Sequence, residues 1–438
     1  MKVIGTILGV TLNLLSTLVF QFFLIKTTQF NSVADSYYLA LTFGLFAGSI
    51  FTSMIQYTYQ KQIIFNNRIN LSTISRVARL TRRSLYTNTL TIILSVLLIQ
   101  TFTEKKYFTI SEVFLICAIG VLQIVATISV ILGYSLSHKF SPGFSGVYPS
   151  IGSSIALLRP TLATILMGLC AGYVLQILHN FITTSPTWRR TDKCNTENLK
   201  NVNENEFVMI LQYFMLSSSN FLQRILFSST SGLSVSIFAT AEKIAQIGSS
   251  VLTTGFNQFT FNSEGKGLLN LSQNQGARKP RDLKYLTTLF VVLSLTILFL
   301  RTALAETFSL MSVSILIVDQ VSYFLKPMLL TVFFAAVGSL ITNKLYSYGF
   351  VRMNAIAGIV NAFLTISVLV LLFLFQNLQY TAHAYAVLAF INTSVKLYLW
   401  YFLCNPEGRI SNVRKAPPEL LFILAGFMAM AFITLVSA

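Results

Sequence analysis

Charged residues are scarce in this 438-residue sequence. They make up 10% of it, whereas soluble domains carry roughly 25%, and hydrophobic types reach 54% at a mean hydropathy of +0.68. This composition excludes an ordinary soluble enzyme and a disordered chain. Acidic residues are the rarest charged type, with 14 Asp and Glu against 31 Lys and Arg and a net charge of +17. Such an excess of basic residues is typical of nucleic-acid-binding proteins, but in a membrane protein it also marks the cytoplasmic side. The positions of the basic residues along the chain therefore have to be considered first.

The residues and motifs of catalysis are also lacking. The four cysteines and three histidines show no CxxC or Cys/His ligand spacing, so neither a disulfide framework nor a metal site is expected. There is no GxSxG, Walker A or HExxH motif, and no pair of acids lies within an apolar run. We therefore expect no catalytic residues, no metal and no cofactor, and a transporter rather than an enzyme.

Long apolar runs dominate what is present. At roughly 33 residues for a span with its loop, the chain has room for about 13 membrane helices. The first run, 3–25, is too long for the apolar part of a signal peptide and is interpreted as a retained span. The predicted spans are 3–25, 37–59, 85–103, 113–137, 141–158, 161–182, 207–230, 233–259, 286–305, 321–343, 353–375, 381–403 and 419–437.

The basic residues predict the orientation of these spans. With the N-terminus in the cytoplasm, 22 of the 31 Lys and Arg residues fall in cytoplasmic segments, as the positive-inside rule requires. The basic stretches 60–84 and 260–285 are predicted to be cytoplasmic loops. The excess positive charge is then mainly a topology signal, and no nucleic-acid partner is expected because no soluble domain carries a basic face.

The longest polar stretch divides the predicted protein into two similar halves. We expect an all-α integral membrane protein with two six-helix lobes, 1–182 and 207–403, around a central cavity. The cytoplasmic linker 183–206 joins the lobes, and 404–438 forms a loop and an extra C-terminal helix.

Polar stripes mark four of the predicted spans. In span eight, Lys243 and Gln246 begin a stripe that continues beyond them, next to Glu242, and in span seven Asn220 and Arg224 share one helix face. Spans one and two carry weaker stripes. Because buried charge is costly in a membrane, Arg224 and Lys243 favour a hydrated cavity. For spans one and two, interhelical packing explains the stripes equally well, and Glu242 is open to a purely structural pairing with the bases.

Several segments resemble the MurJ/MviN lipid-linked precursor flippases of the MOP exporter superfamily, which also includes Wzx polysaccharide flippases and MATE drug exporters. Residues 34–41, ADSYYLAL, are similar to a motif that opens span two in that family; 241–246, AEKIAQ, are similar to one in span eight; and 346–349, YSYG, to one that ends span ten. The resemblance covers roughly 1–403. It implies two lobes around a cavity lined by spans one, two, seven and eight, in which basic residues bind a pyrophosphate.

Some of the basic residues of the family's cavity have counterparts in this sequence, and others do not. Lys243 stands where the family has an arginine, which keeps the charge but not the planar fork. Lys26 matches a further arginine, whereas other family arginines fall on Leu14, Phe20, Gly48 and Ser49. The candidate substrate-binding residues are Arg224, Lys243, Glu242, Asn220, Gln246, Lys26, Ser49 and Gln56.

Three functions remain open from the sequence. The first is a flippase for an undecaprenyl-pyrophosphate-linked saccharide, either a polysaccharide repeat unit or a murein precursor, in the bacterial inner membrane. Its partners would be that glycolipid, membrane lipid and other envelope polysaccharide assembly proteins. The second is a cation-coupled multidrug exporter of the MATE type, which would favour buried acids. The third is a membrane glycolipid polymerase or ligase, which would favour a large outer loop with charged residues.

Overall fold

A computed structural model describes residues 2–46, 48, 50, 71–102, 108–137, 144–184, 203–230, 234–246, 302–309, 313–347 and 351–399. These residues form twelve α-helices, one 3-10 turn at Leu378–Tyr380 and short connections, with no strand among them. The helices are α1 (Lys2–Thr28), α2 (32–46), α3 (Leu71–Phe102), α4 (Ile110–Ser137), α5 (Val147–Ala156), α6 (Leu162–Thr184), α7 (Asn203–Ser229), α8 (235–246), α9 (302–309), α10 (Ile315–Ser347), α11 (Val351–Leu374) and α12 (Thr381–Tyr398). The predicted all-α class is confirmed.

Five of the described helices are long and apolar enough to cross a membrane. The qualifying stretches are Thr11–Thr28, Ile110–Val130, Leu162–Thr183, Ile315–Ser339 and Arg352–Leu374. On α11 many exposed side chains are large and apolar, including Ile356, Val360, Phe363 and Leu371. An apolar surface of this kind is typical of a helix in contact with lipid. The chain is therefore a multi-pass membrane protein, while the count of thirteen spans stays a prediction.

The chain divides into two compact units, Met1–Ser236 and Ile237–Ala438. Residues 185–202 of the predicted linker 183–206 lie outside the described residues, as do the whole predicted basic loop 260–285 and the C-terminal segment 404–438. The predicted lobe boundaries therefore stay predictions.

In the first unit, glycines allow two helices to approach at backbone distance. A Cβ added to Gly168 of α6 would lie 2.7 Å from the Cβ of Ala156 and against the carbonyl oxygen of Gly152 on α5. Gly172 lies four residues further along α6, and a Cβ added to it would lie 2.5 Å from the Cα of Pro149. Small residues at this spacing are what close helix packing in membranes requires, because apolar burial adds little there.

A second close crossing in the same unit brings α2, α3 and α4 together. The Asn88 side chain of α3 is fully buried, and its Oδ1 accepts a hydrogen bond from the Gly48 N–H at 3.1 Å. A Cβ on Gly120 of α4 would lie 2.7 Å from the Gly44 carbonyl oxygen. The buried amide thus bonds to backbone that glycine has made accessible.

The second unit is built on α10, which packs along α12, with α11 beside α12. The α10 helix is 33 residues long and contains Pro327 in its interior. The Thr393 hydroxyl of α12 donates to the Phe334 carbonyl of α10 at 2.9 Å, close to Gly338. A side-chain bond to a helix carbonyl stabilises the crossing without an apolar driving force.

One expectation about local structure is wrong. Residues 71–84 of the predicted basic loop 60–84 are the first turns of α3, in which Leu71, Ile74 and Val77 recur at three-residue spacing in the sequence. In the predicted fifth span, 141–158, the described residues from 144 onward contain the 10-residue helix α5, which follows a turn at Gly146. At 1.5 Å per residue, α5 alone reaches about 15 Å, half of a bilayer core, and that the whole segment crosses stays a prediction. The predicted break at Arg159-Pro160 is confirmed.

Candidate functional site

The span-eight candidates form one hydrogen-bonded cluster on α8. The Lys243 Nζ donates to the Gln246 Oε1 at 3.2 Å, and the Gln246 Nε2 donates to the Glu242 Oε1 at 2.9 Å. These residues fall within one turn because they are three and four positions apart. Gln246 is exposed, and Glu242 and Lys243 are half-buried. The amide of Gln246 orients both charges at the surface of the second unit.

The span-seven candidates lie in different environments on α7. Arg224 is buried, at 9% exposure, next to the buried Gln223, whereas Asn220 is exposed. Asn220 and Arg224 share a helix face by spacing, but that face runs from a buried to an open environment along the helix. The structure thus places Arg224 within the first unit and Lys243 in the second. That both line one cavity stays a prediction.

The remaining candidates come from spans one and two. Lys26 is exposed in the last turn of α1, where a cation interacts favourably with the helix dipole. That position explains the lysine without a ligand. Ser49 and Gln56 lie outside the described residues.

The polar stripe of span one is used for packing. The Thr17 hydroxyl lies 3.2 Å from that of Ser150 on α5, and the Asn13 amide fills the space next to Gly146, where an added Cβ would lie 2.7 Å from its Nδ2. Ser16 and Thr17 also donate to the Asn13 carbonyl. Of the two interpretations open from the sequence, the structure supports interhelical packing for these residues.

Asp35 is a residue whose role sequence reasoning missed. It lies near the start of α2, and its Oδ1 accepts hydrogen bonds from the Ser234 hydroxyl at 3.0 Å and the Ser236 N–H at 2.8 Å. Ser236 is in the first turn of α8, where backbone N–H groups have no partner within the helix. A carboxylate there caps the helix and is favoured by its dipole. The only sequence signal was the motif at 34–41.

Aromatic side chains join α2 to α7 inside the first unit. Phe221 of α7 packs against Phe43 and Phe46 of α2, with ring centroids 5.3 Å and 4.9 Å apart, and Phe214 lies 6.2 Å from Phe46. Aromatic contacts of this geometry contribute about 0.5–1.5 kcal/mol each beyond their burial. They fix the helix that carries Arg224 against the one that begins near Asp35.

Among the described residues, no group of three His, Cys, Asp or Glu side chains is positioned to hold a metal ion. Cys117 and Cys170 are free and half-buried. The candidate residues in the described part of the chain are charged and amide side chains, the types that form ion pairs and hydrogen bonds.

Solved structures share this architecture over nearly the whole chain. A MOP superfamily transporter from Pyrococcus furiosus, described as having a binding pocket of reversed polarity that suggests a different function, aligns with a TM-score of 0.53 at 10% identity, over 99% of this chain and 96% of its own. A multidrug resistance MATE family transporter in an inward-facing conformation gives 0.52 at 13% identity, with the same coverage. A MATE transporter in complex with MaL6 gives 0.52 at 10% identity, again over 99% and 96%.

The fold is that of the MOP superfamily transporters. At these identities the likeness concerns the fold alone, because one such fold hosts different functions. No family model matches the chain, and no curated protein matches it significantly. This fold agrees with the fold that the sequence resemblance implies, and it does not determine the substrate.

Proposed function

We propose that the protein is a flippase that moves an undecaprenyl-pyrophosphate-linked saccharide across the bacterial inner membrane by alternating access. The transporter fold supports this proposal, since such folds move a substrate by rocking one bundle against another without chemistry. No enzymatic step is needed, so the protein acts as a transporter and uses no cofactor.

The observation that carries the proposal is the Lys243–Gln246–Glu242 cluster on α8. An ammonium group that reaches the surface of a membrane-embedded helix is costly unless it faces water or an anion. The pyrophosphate of the glycolipid supplies such an anion, and a charge-assisted hydrogen bond to it contributes about 1.5–3 kcal/mol. Arg224 and Asn220 are proposed to contribute from α7, and Lys26, Ser49 and Gln56 from spans one and two.

The proposal is tested by replacing Lys243. Purified protein in proteoliposomes is given a fluorescent undecaprenyl-pyrophosphate-linked saccharide, and flipping is normalised to the amount of reconstituted protein. Lys243→Ala is expected to lower flipping roughly ten- to a hundredfold, the equivalent of the lost contact. Lys243→Arg should keep much of the activity because the charge remains. Lys326→Ala, on α10, is the matched control and should retain activity.

The results that contradict the proposal are specific. Full flipping by Lys243→Ala would remove the α8 cluster from the binding site. A wild-type protein that does not flip the glycolipid but exports a cationic dye would favour the second candidate, a cation-coupled multidrug exporter. The acid Glu242 on α8 is the residue that would suit such an exporter. A wild-type protein that elongates or ligates the glycolipid would favour the enzyme class.

The proposed orientation places the N-terminus and the segment 183–206 in the cytoplasm. Cys194 is the one cysteine in this segment. In a variant whose other three cysteines are replaced by serine, it should resist an impermeant thiol reagent in intact cells and react after permeabilisation. Labelling in intact cells would reverse the whole orientation.

A further inference from the structure

Helix α3 carries one continuous exposed face that changes from basic to apolar along its length. Arg79, Arg82 and Arg83 are exposed in the first half of the helix. The exposed large side chains that follow them, each between 41% and 68% exposed, are Tyr86, Leu90, Ile93, Leu94 and Leu97. Counted from Arg79 as position i, all these residues fall at i+3, i+4, i+7, i+11, i+14, i+15 and i+18. They therefore share one side of the helix.

The opposite side of α3 packs inside the first unit. Ser84, Asn88, Ile92 and Val96 are four residues apart, and each is at most 3% exposed. Asn88 accepts its hydrogen bond from the Gly48 backbone on this side. The packed side thus fixes the rotation of α3 about its axis, and it turns the three arginines away from the interior of the unit.

The length of α3 places these arginines outside the apolar core of a bilayer. Its 32 residues reach about 48 Å at 1.5 Å per residue, against about 30 Å for the hydrocarbon core. About 12 residues therefore extend beyond the core. Counted from Leu71, they end at Arg82, where the exposed face changes from basic to apolar. Tyr86, one turn further, is of a type enriched at the membrane–water interface. The arginines thus lie at the depth of the lipid headgroups.

The chain itself does not balance this charge. Helix α3 contains neither Asp nor Glu, and among the described residues no ion pair involves the guanidinium groups of Arg79, Arg82 or Arg83. Arg79 lies three and four positions before the other two, and like charges at these spacings destabilise a helix. The cluster is therefore unfavourable for the helix alone, and an anion outside the chain offsets the repulsion. Lipid phosphates are the anions present at this depth.

Membrane orientation alone does not explain the arrangement. The positive-inside rule requires basic residues on the cytoplasmic side, and a loop satisfies it as well as a helix does. It sets no helical face, whereas these arginines are aligned with the apolar residues that face lipid. Arg352 provides the contrast, because it is a lone exposed arginine in the first turn of α11, followed by the exposed Ile356 and Val360.

We propose that Arg79, Arg82 and Arg83 form a binding surface for anionic phospholipid of the cytoplasmic leaflet, whose acyl chains lie along Leu90 and Leu97. Clusters of basic residues directly cytoplasmic of a spanning helix are typical of such binding, and a guanidinium group donates two parallel hydrogen bonds to phosphate oxygens. Near an anionic surface each basic residue strengthens binding roughly fivefold, which gives on the order of a hundredfold for three. The surface needs no transport substrate, so the inference is independent of the proposed function.

The first experiment counts bound lipid in detergent, where a reversed orientation of a variant has no effect. Purified protein is titrated with phosphatidylglycerol, which has a net negative charge, or with phosphatidylethanolamine, which has the same phosphodiester but is zwitterionic. Native mass spectrometry then gives the lipid retained per chain. The wild type should prefer phosphatidylglycerol, and this preference should fall as salt is raised, because exposed charges are screened.

The variant that removes the surface is Arg79→Gln, Arg82→Gln, Arg83→Gln. It should bind phosphatidylglycerol at least about tenfold more weakly and phosphatidylethanolamine as the wild type does. The corresponding triple lysine variant should stay within about threefold of the wild type, because the charge remains while the planar fork is lost. Arg352→Gln is the matched control and should stay within about twofold, since a lone arginine forms no cluster.

Two results would overturn the proposal. Equal phosphatidylglycerol binding by the wild type and the triple glutamine variant would leave the arginines as an orientation signal only. A loss in Arg352→Gln as large as in the triple variant would show general surface electrostatics rather than a site. Should the triple variant not be recovered as folded protein, Arg82→Gln alone is compared with Arg352→Gln, and its expected loss is about fivefold.

The second experiment locates the lipid in a bilayer and identifies its source. Nanodiscs contain phosphatidylglycerol with a photoactivatable group on its headgroup, and the crosslinked peptides are identified by mass spectrometry. The segment 79–90 should be labelled in the wild type and much less in the triple glutamine variant. Labelling confined to other helices would contradict the proposal. If undecaprenyl pyrophosphate displaces the label at far lower concentration than unlabelled phosphatidylglycerol does, the surface belongs to the path of the glycolipid, and its assignment to membrane phospholipid is wrong.

Discussion

The polar residues of α1 and those of α8 look alike in the sequence but do different things in the structure. On α1, Asn13 and Thr17 are in contact with α5, next to Gly146 and Ser150. On α8, the hydrogen bonds of the cluster run between side chains of the same turn, and Gln246 is exposed. The polar residues of α1 thus hold α1 against α5, whereas the cluster on α8 places charged groups at a surface. The two sets of residues are of similar types and differ in their surroundings.

Among the packed contacts of the first unit, the α5–α6 crossing is expected to be the most sensitive to substitution. In Gly168→Ala the new methyl would meet the carbonyl oxygen of Gly152, which is backbone and cannot rotate away. We expect the free energy of unfolding to fall by about 1–3 kcal/mol, measured by thermal unfolding in detergent. The control is Gly338→Ala, whose Cβ would meet only the Thr393 hydroxyl at 3.2 Å. Equal stability of the two variants would contradict the close crossing.

The start of α8 depends on Asp35. Replacing it by alanine removes the acceptor for the Ser236 N–H and the Ser234 hydroxyl. The loss of a helix cap typically costs about 0.5–2 kcal/mol, so Asp35→Ala should lower the unfolding temperature and also reduce flipping. Asp35→Asn keeps an oxygen acceptor and should lie close to the wild type. An alanine variant as stable as wild type would show that Asp35 does not fix α8.

Glu242 tests the role of the exposed cluster on α8. In Glu242→Gln the Gln246 amide still finds an oxygen acceptor, so the turn keeps its geometry while one negative charge is lost. We expect flipping to stay within about threefold, or about 0.7 kcal/mol, a smaller effect than that of Lys243→Ala. Loss of all transport in a well-folded Glu242→Gln protein would instead indicate cation coupling at α8 and favour the exporter.

The sequence predicted those features of the fold that depend on neighbouring residues. Apolar runs and the break at Arg159-Pro160 are local, and they predicted α6, α11 and α12 to within a few residues. The amphipathic start of α3 was missed because its arginines suggested a loop, although Leu71 and Ile74 already gave an apolar face.

Contacts between distant residues could not be predicted in this way. The bonds from Asp35 to Ser236 and from Lys396 to Thr342 join residues 201 and 54 positions apart. Nothing in the local pattern around Asp35 or Lys396 identifies these partners. The bond from Lys396 to Thr342 is visible only once α10 and α12 are placed together.

The smallest expected effect tests whether the α1 stripe has any part in transport. Thr17→Val keeps the shape of the side chain but loses the contact with the Ser150 hydroxyl and the bond to the Asn13 carbonyl. A net hydrogen bond contributes about 0.5–1.5 kcal/mol, and the bond to Asn13 lies within a helix turn, where its loss frees a carbonyl already bonded in the helix. We therefore expect a loss of at most about 1 kcal/mol in unfolding free energy and unchanged flipping per folded molecule. If Thr17→Val lowers flipping tenfold at normal stability, the hydroxyl faces the transport path in another state of the cycle, and the stripes of α1 and α8 serve the same purpose after all.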